Sequence, residues 1–223
     1  MAFSERSLRF LAGLSEHNDR DWFQAHRADY DEALMPEAKA FVTAMGEALA
    51  AHTPDVRAQP RVNGSIFRIN RDTRFSKDKR PYKDHLDMMF WVGDGRSRER
   101  PGFFFRLTTE RVHLGAGKHM LDKAELARFR EAVAGAPGEE LAGLVAELTG
   151  AGLEVGSSHY KRVPRGYDAD HPRADLLRYN ALFAAADAPH PPCLGDEGFV
   201  AWCDERFQAT RGVLGWLVEH VTG

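Results

Sequence analysis

Three apolar runs rich in aromatic residues crowd the middle of the chain, at Leu86–Val92, Phe103–Leu107 and Arg111–Leu114. Only the polar loop 93–101 and the turn 108–110 separate them. Each run has the length and residue types of a strand. A parallel crossover needs a dozen or more residues, so connections this short dictate antiparallel pairing. The segment Ser65–Ile69, with apolar residues around Arg68, is read as a further strand. The expectation is a four-stranded antiparallel sheet over about residues 62–116.

Both flanks read as helix. Ser4 is placed to cap a helix carrying Leu8, Phe10, Leu11 and Leu14. Asn18 looks like a second cap before Trp22, Phe23, His26 and Tyr30, and Pro36 suits the first turn of a third helix. Helices are therefore expected over residues 4–51. After the sheet they return over residues 121–221, with stretches at 121–134, 139–149, 172–179 and about 197–221; residues 153–170 read as a loose segment and 188–192 as a loop. The fold class is α+β, a central antiparallel sheet packed by N- and C-terminal helices, in one domain spanning 1–223.

Composition narrows the setting. With 43% apolar and 28% charged residues among 223, the chain can bury a core and is not a disordered segment. Two cysteines, Cys193 and Cys203, without a CxxC pair, point to reduced thiols that are not bonded to each other. No apolar run approaches the roughly 20 residues that a membrane span requires, so no membrane partner is expected. The amino terminus lacks the apolar core of a secretory signal, and a cytoplasmic location is expected.

Charge is not evenly spread. Between Arg61 and Lys83 lie eight cations and two carboxylates, +6 in 23 residues of a protein whose net charge is −3. Such a focus reads as an anion site. Arg68, Arg71 and Arg74 recur at three-residue intervals, and guanidinium groups grip carboxylate or phosphate with two prongs where lysine offers one. On this reading Asp72 sits among the arginines and orients them. Phe75 and Tyr82 bracket the segment as rings for stacking or burial, and Lys79 and Lys83 add charge. Arg98, outside the block, is expected to be a bystander.

The block Arg68-Ile-Asn-Arg71-Asp72-Thr-Arg74-Phe75-Ser-Lys-Asp78-Lys79-Arg-Pro-Tyr82-Lys83 resembles the signature of a bacterial and fungal family of conserved proteins of unknown function. Residues 10–23, Gly115-Ala116-Gly117, residues 161–167 and His171-Pro172 carry the same resemblance. It implies membership and a length of about one domain, and brings no activity, substrate or cofactor with it.

Other constellations are weaker. A smaller cluster at His159, Lys161, Arg162 and Arg165 contributes Lys161 and Arg162 as further ligand-binding candidates. Asp168, Asp170 and His171 have hard-metal donor types, but they also suit a helix cap before Pro172, and no metal is assigned. His113 and His119 flank the Gly115-Ala116-Gly117 turn and point to a cleft, or to purely structural roles. No nucleophile motif, P-loop or dinucleotide fingerprint is present, so catalytic residues and cofactor stay unassigned. Three readings remain open. The first is a site for a small phosphorylated or carboxylated ligand, built from Arg68, Arg71, Asp72, Arg74, Phe75, Lys79, Tyr82, Lys83, Lys161 and Arg162. The second is nucleic-acid binding by the same cations, against which the net negative charge counts. In the third, a structural arginine network braces a protein-interaction module.

Overall fold

The protein is described by a computed structural model covering residues 3–156 and 158–222; Ser157, within the stretch read as loose, lies outside the described residues. Helices α1 (Glu5–Glu16), α2 (Arg20–Ala25), α3 (Arg27–Asp29) and α4 (Met35–Ala50) come first, with a π-helical turn at Tyr30–Leu34. Then follow β1 (Val56–Arg57), β2 (Leu86–Val92), β3 (Gly102–Leu107) and β4 (Arg111–Lys118). The rest is α5 (Lys123–Ala134), α6 (Pro137–Gly150), β5 (Glu154–Val155), α7 (Ala174–Leu177), β6 (Leu182–Pro189) and α8 (Gly198–Leu217).

Local signals account for the helix ends. Ser4 Oγ accepts the Ser7 N–H at 3.4 Å, and Asp122 with Glu125 forms a reciprocal capping box on α5. Asn18, expected to cap α2, does something else. Asp19 caps it, accepting the Trp22 N–H at 2.8 Å, while Asn18 grips the backbone of Tyr82, donating to its carbonyl at 3.1 Å and accepting its N–H at 3.0 Å. A short polar side chain serves either purpose, and here a contact 64 residues away wins over the local one.

Among the described residues six strands form one open antiparallel sheet in the order β1-β2-β3-β4-β6-β5. The fold is α+β, with helices flanking the sheet. Two boundaries differ from the sequence expectation. The segment 65–69 is not a strand: Ile66 alone bridges to Met88 on the edge of β2 that β1 also occupies. The sheet also runs past residue 116, because β6 pairs with the whole of β4. The sequence of β6, LFAAADAP, is too rich in alanine to advertise a strand. Its smallness fits its neighbours: a Cβ on Gly115 would lie 2.0 Å from the Ala184 carbonyl oxygen.

One face of the sheet carries the core. Met88 and Phe90 of β2, Phe103 and Phe105 of β3, and Leu114 and Ala116 of β4 are buried against α1, α4 and α8. A second apolar cluster joins α5, α6 and α7 to β6 and the end of α8, around Phe129, Leu177 and Trp216. The alternate residues of the central strands point the other way, and they are of a different kind.

Candidate anion site on the open face of the sheet

Strand alternation sends Asp87 and Met89 from β2, Phe104 and Arg106 from β3, and His113 with Gly117 from β4 to the face opposite the core. With Arg98, Arg100, Lys118 and His119 they surround a cavity of roughly 350 Å³. Its floor is apolar and aromatic. The His119 ring lies 5.1 Å from that of Phe104 and 4.5 Å from that of Phe183, and His113 approaches Phe104 at 5.4 Å. Gly117 keeps this floor open: its φ of +136° suits glycine, and a Cβ there would strike the backbone of β6.

Around this floor stand four cations and one carboxylate. Arg100 donates to the Val92 and Thr222 carbonyls, and Lys118 is taken up by Glu125 and the Glu99 carbonyl. Arg106 Nε lies 2.7 Å from Asp87 Oδ1. Arg98 has no carboxylate partner among the described residues, and its guanidinium rests 4.6 Å above the Phe67 ring. A shallower depression continues past Phe67 and Arg98 to Arg68, Arg71, Lys83 and His85.

Asp87 anchors this charge. Burial alone would raise its pKa, but hydrogen bonds from His85, Arg106 and Lys83 prevail and hold the carboxyl well below the usual carboxylate range. Lys83 Nζ sits 2.7 Å and His85 Nε2 3.3 Å from Asp87 Oδ2. The chain of contacts runs back into the basic block. His85 Nδ1 meets Asp84 at 2.9 Å, Asp84 meets Arg80 at 3.5 Å, and Arg80 and Arg71 share Asp78 at 3.0 and 2.7 Å. His119, by contrast, has its pKa lowered, first by burial and then by the neighbouring His113, so it is a neutral imidazole at neutral pH.

The residues singled out from sequence are therefore distributed rather than convergent. Arg68, Arg71, Asp72 and Lys83 line the shallow extension. Asp72 does not organise three arginines: it takes Arg74 alone, at 3.0 and 2.7 Å, and that pairing brings its pKa down to about 2. Arg74 points into solvent, Lys79 donates to the Thr73 carbonyl, and Phe75 is 94% exposed. Tyr82 is buried, stacked on Phe23 at 4.4 Å. Lys161 and Arg162 are exposed and line none of these cavities. Arg98, expected to be a bystander, stands where the cavities meet.

Sequence reasoning missed Arg98, Arg106 and Asp87. The alternation Phe103-Phe104-Phe105-Arg106 was the available signal, since a strand with a cored Phe105 must turn Arg106 outward. His113 and His119 do face the cleft their position suggested. Asp168, Asp170 and His171 form a local turn instead: Asp168 accepts the Asp170 N–H and His171 Nδ1 accepts the Arg173 N–H, each at 3.0 Å. Among the described residues no three His, Cys, Asp or Glu side chains gather as a metal ion requires. Cys193 and Cys203 are free thiols, and burial pushes that of Cys203 far up. No helix among the described residues is long and apolar enough to cross a membrane.

The chain belongs to a family of conserved hypothetical proteins, DUF2461, whose model matches residues 6–216. Comparison with curated proteins returns no match.

Proposed function

We propose that the open face of the sheet binds a small anionic molecule, phosphorylated or carboxylated, that also has a flat apolar part. The observation that carries this reading is the pairing of an aromatic floor with a cationic rim in one cavity of roughly 350 Å³. That size suits a compact ligand. Arg98 supplies a fork without a carboxylate partner, Arg106 supplies a second fork held in place by Asp87, and Phe104 and His119 receive the apolar part. Arg68 and Lys83 extend the positive field along the approach.

Calorimetric titration of nucleoside monophosphates, aromatic carboxylates and sugar phosphates tests it. Binding with a shallow dependence on salt, weakened by Arg106→Ala and Phe104→Ala, is the expected result. If none binds, or both variants bind as well as the parent protein, the reading fails.

One observation favours a second reading. Phe75 stands out from the loop 72–80 with the Arg74 guanidinium 5.8 Å from its ring centre, beside exposed Lys77 and Lys79. An exposed ring among cations is the arrangement that stacks on a base of single-stranded nucleic acid. Short oligonucleotides binding with a steep salt slope, abolished by Phe75→Ala and unaffected by Phe104→Ala, would favour it over the first.

A further inference from the structure

Trp91 carries a hydrogen-bond donor that the fold leaves unsatisfied. The residue is 3% exposed, and among the described residues no acceptor lies within reach of its indole Nε1. Buried donors are nearly always paired, so one that is not asks for a reason. Packing explains the ring. Trp91 faces Gly102 across β2 and β3, and a large flat side chain covers the bare glycine. Phenylalanine would cover it equally well, so the N–H is left over.

The other two unpartnered buried donors among the described residues differ in kind. They are single N–H groups of Arg130 and Arg178, whose guanidinium groups engage Tyr160 and Asp175 elsewhere. The indole has no second donor.

The ring of Trp91 lines a cavity separate in most of its walls from the sheet groove. It lies between the turn 59–64 and the loop 95–99, with a volume of about 510 Å³. Ser97 Oγ donates to the Gly64 carbonyl at 3.2 Å and ties the two walls together. Arg61, Arg96 and Arg98 line it, and its one carboxylate, Glu99, lies 4.0 Å from Arg96. A fixed, buried N–H among arginines is what an oxyanion needs: a neutral donor that sets position and charges that supply attraction.

We propose that this cavity is an oxyanion compartment, in which a phosphate or carboxylate oxygen accepts the Trp91 Nε1 hydrogen and Arg61 and Arg98 balance its charge. The compartment shares Phe67 and Arg98 with the sheet groove but has its own donor, so it stands or falls independently of the function proposed for that groove.

Indole N–H resonances of the full-length, ¹⁵N-labelled protein test this, because its four tryptophans give few signals and Trp91→Phe identifies the one that matters. Inorganic phosphate and citrate are titrated separately at constant ionic strength, which distinguishes phosphate from carboxylate as the preferred group. The expected result is a saturable downfield shift of the Trp91 signal with at least one of them. Arg61→Ala should weaken that binding by about tenfold, the loss of one charge-assisted contact. Arg106→Ala, which belongs to the groove alone, should leave it unchanged. The proposal is overturned if the Trp91 signal stays still, drifts linearly with either salt, or saturates as readily in Arg61→Ala. If Trp91→Phe does not fold, Trp91→Tyr assigns the signal and the Arg61→Ala titration decides the question.

Discussion

The two faces of the sheet are made from the same strands and obey opposite rules. On β3, Phe103 and Phe105 point to the helical side and are almost fully buried, while Phe104 and Arg106 point away and keep contact with solvent. The covered face is apolar throughout. The open face mixes rings, guanidinium groups, imidazoles, a buried carboxylate and bare glycine within one cavity. A face that only needed to be solvated would carry scattered polar residues over a polar floor. This one keeps Met89, Phe104 and His119 half-buried beneath arginines. Stability is concentrated on one side of the sheet and recognition chemistry on the other.

If that division holds, substitutions on neighbouring residues of one strand must separate. Phe103→Ala should cost about 3–5 kcal/mol of stability in denaturant unfolding, since it opens a cavity in the core. Phe104→Ala should cost about 1 kcal/mol, because much less of its surface is removed from water, and should weaken ligand binding. Equal losses of stability would erase the contrast.

Asp87 is where the two faces meet, on a strand whose other side is core. Asp87→Asn should cost about 2–3 kcal/mol, the loss of charge-assisted bonds to Arg106 and Lys83. The pH dependence has a definite sign. The carboxyl is held below its ordinary range when folded, so its contribution is fully present above about pH 5 and drains away as acid is added. Unfolding free energies measured from pH 7 to pH 3 should fall more steeply for the parent protein than for Asp87→Asn.

The same alternation explains what the sequence disclosed. The strands 86–92, 103–107 and 111–114 and the long helices were legible because aromatic runs and helical spacing are local properties. β6 was not, because alanine is chosen there for its closeness to Gly115 and Gly117 on β4, a contact that chain order hides. The candidate site was legible only in part, for a reason of bookkeeping. The basic block looks like +6 when it ends at Lys83, but Asp84 and Asp87 follow immediately. Folded, those carboxylates take up Arg80, Lys83 and Arg106, and Asp72 and Asp78 take up Arg74 and Arg71. Much of the apparent excess charge braces the loop. Arg98 was overlooked because the polar, glycine-containing loop around it gives no hint that it folds back over Phe67.

A gentler effect comes from His119. Its folded-state pKa is lowered, so below the ordinary histidine value of about 6.5 the unfolded chain binds a proton that the folded one refuses, and stability falls. Further acidification charges the folded imidazole and should tighten anion binding in the groove. His119→Gln should flatten both trends, by at most about threefold in affinity for an exposed rim.

The central claim is that anions are recognised on the open face of the sheet through Arg98 and Arg106 and not on the projecting loop around Arg74. Backbone amide shifts of the ¹⁵N-labelled protein during titration with a phosphorylated aromatic ligand, such as a nucleoside monophosphate, test it most directly. The account predicts saturable shifts grouped on Phe67, Met89, Arg98, Phe104, Arg106 and His119, a loss of about tenfold in affinity for Arg98→Ala, and none for Arg74→Ala. Shifts confined to residues 72–80 or to the surface around Lys161 and Arg162, with Arg98→Ala binding as well as the parent protein, would contradict it.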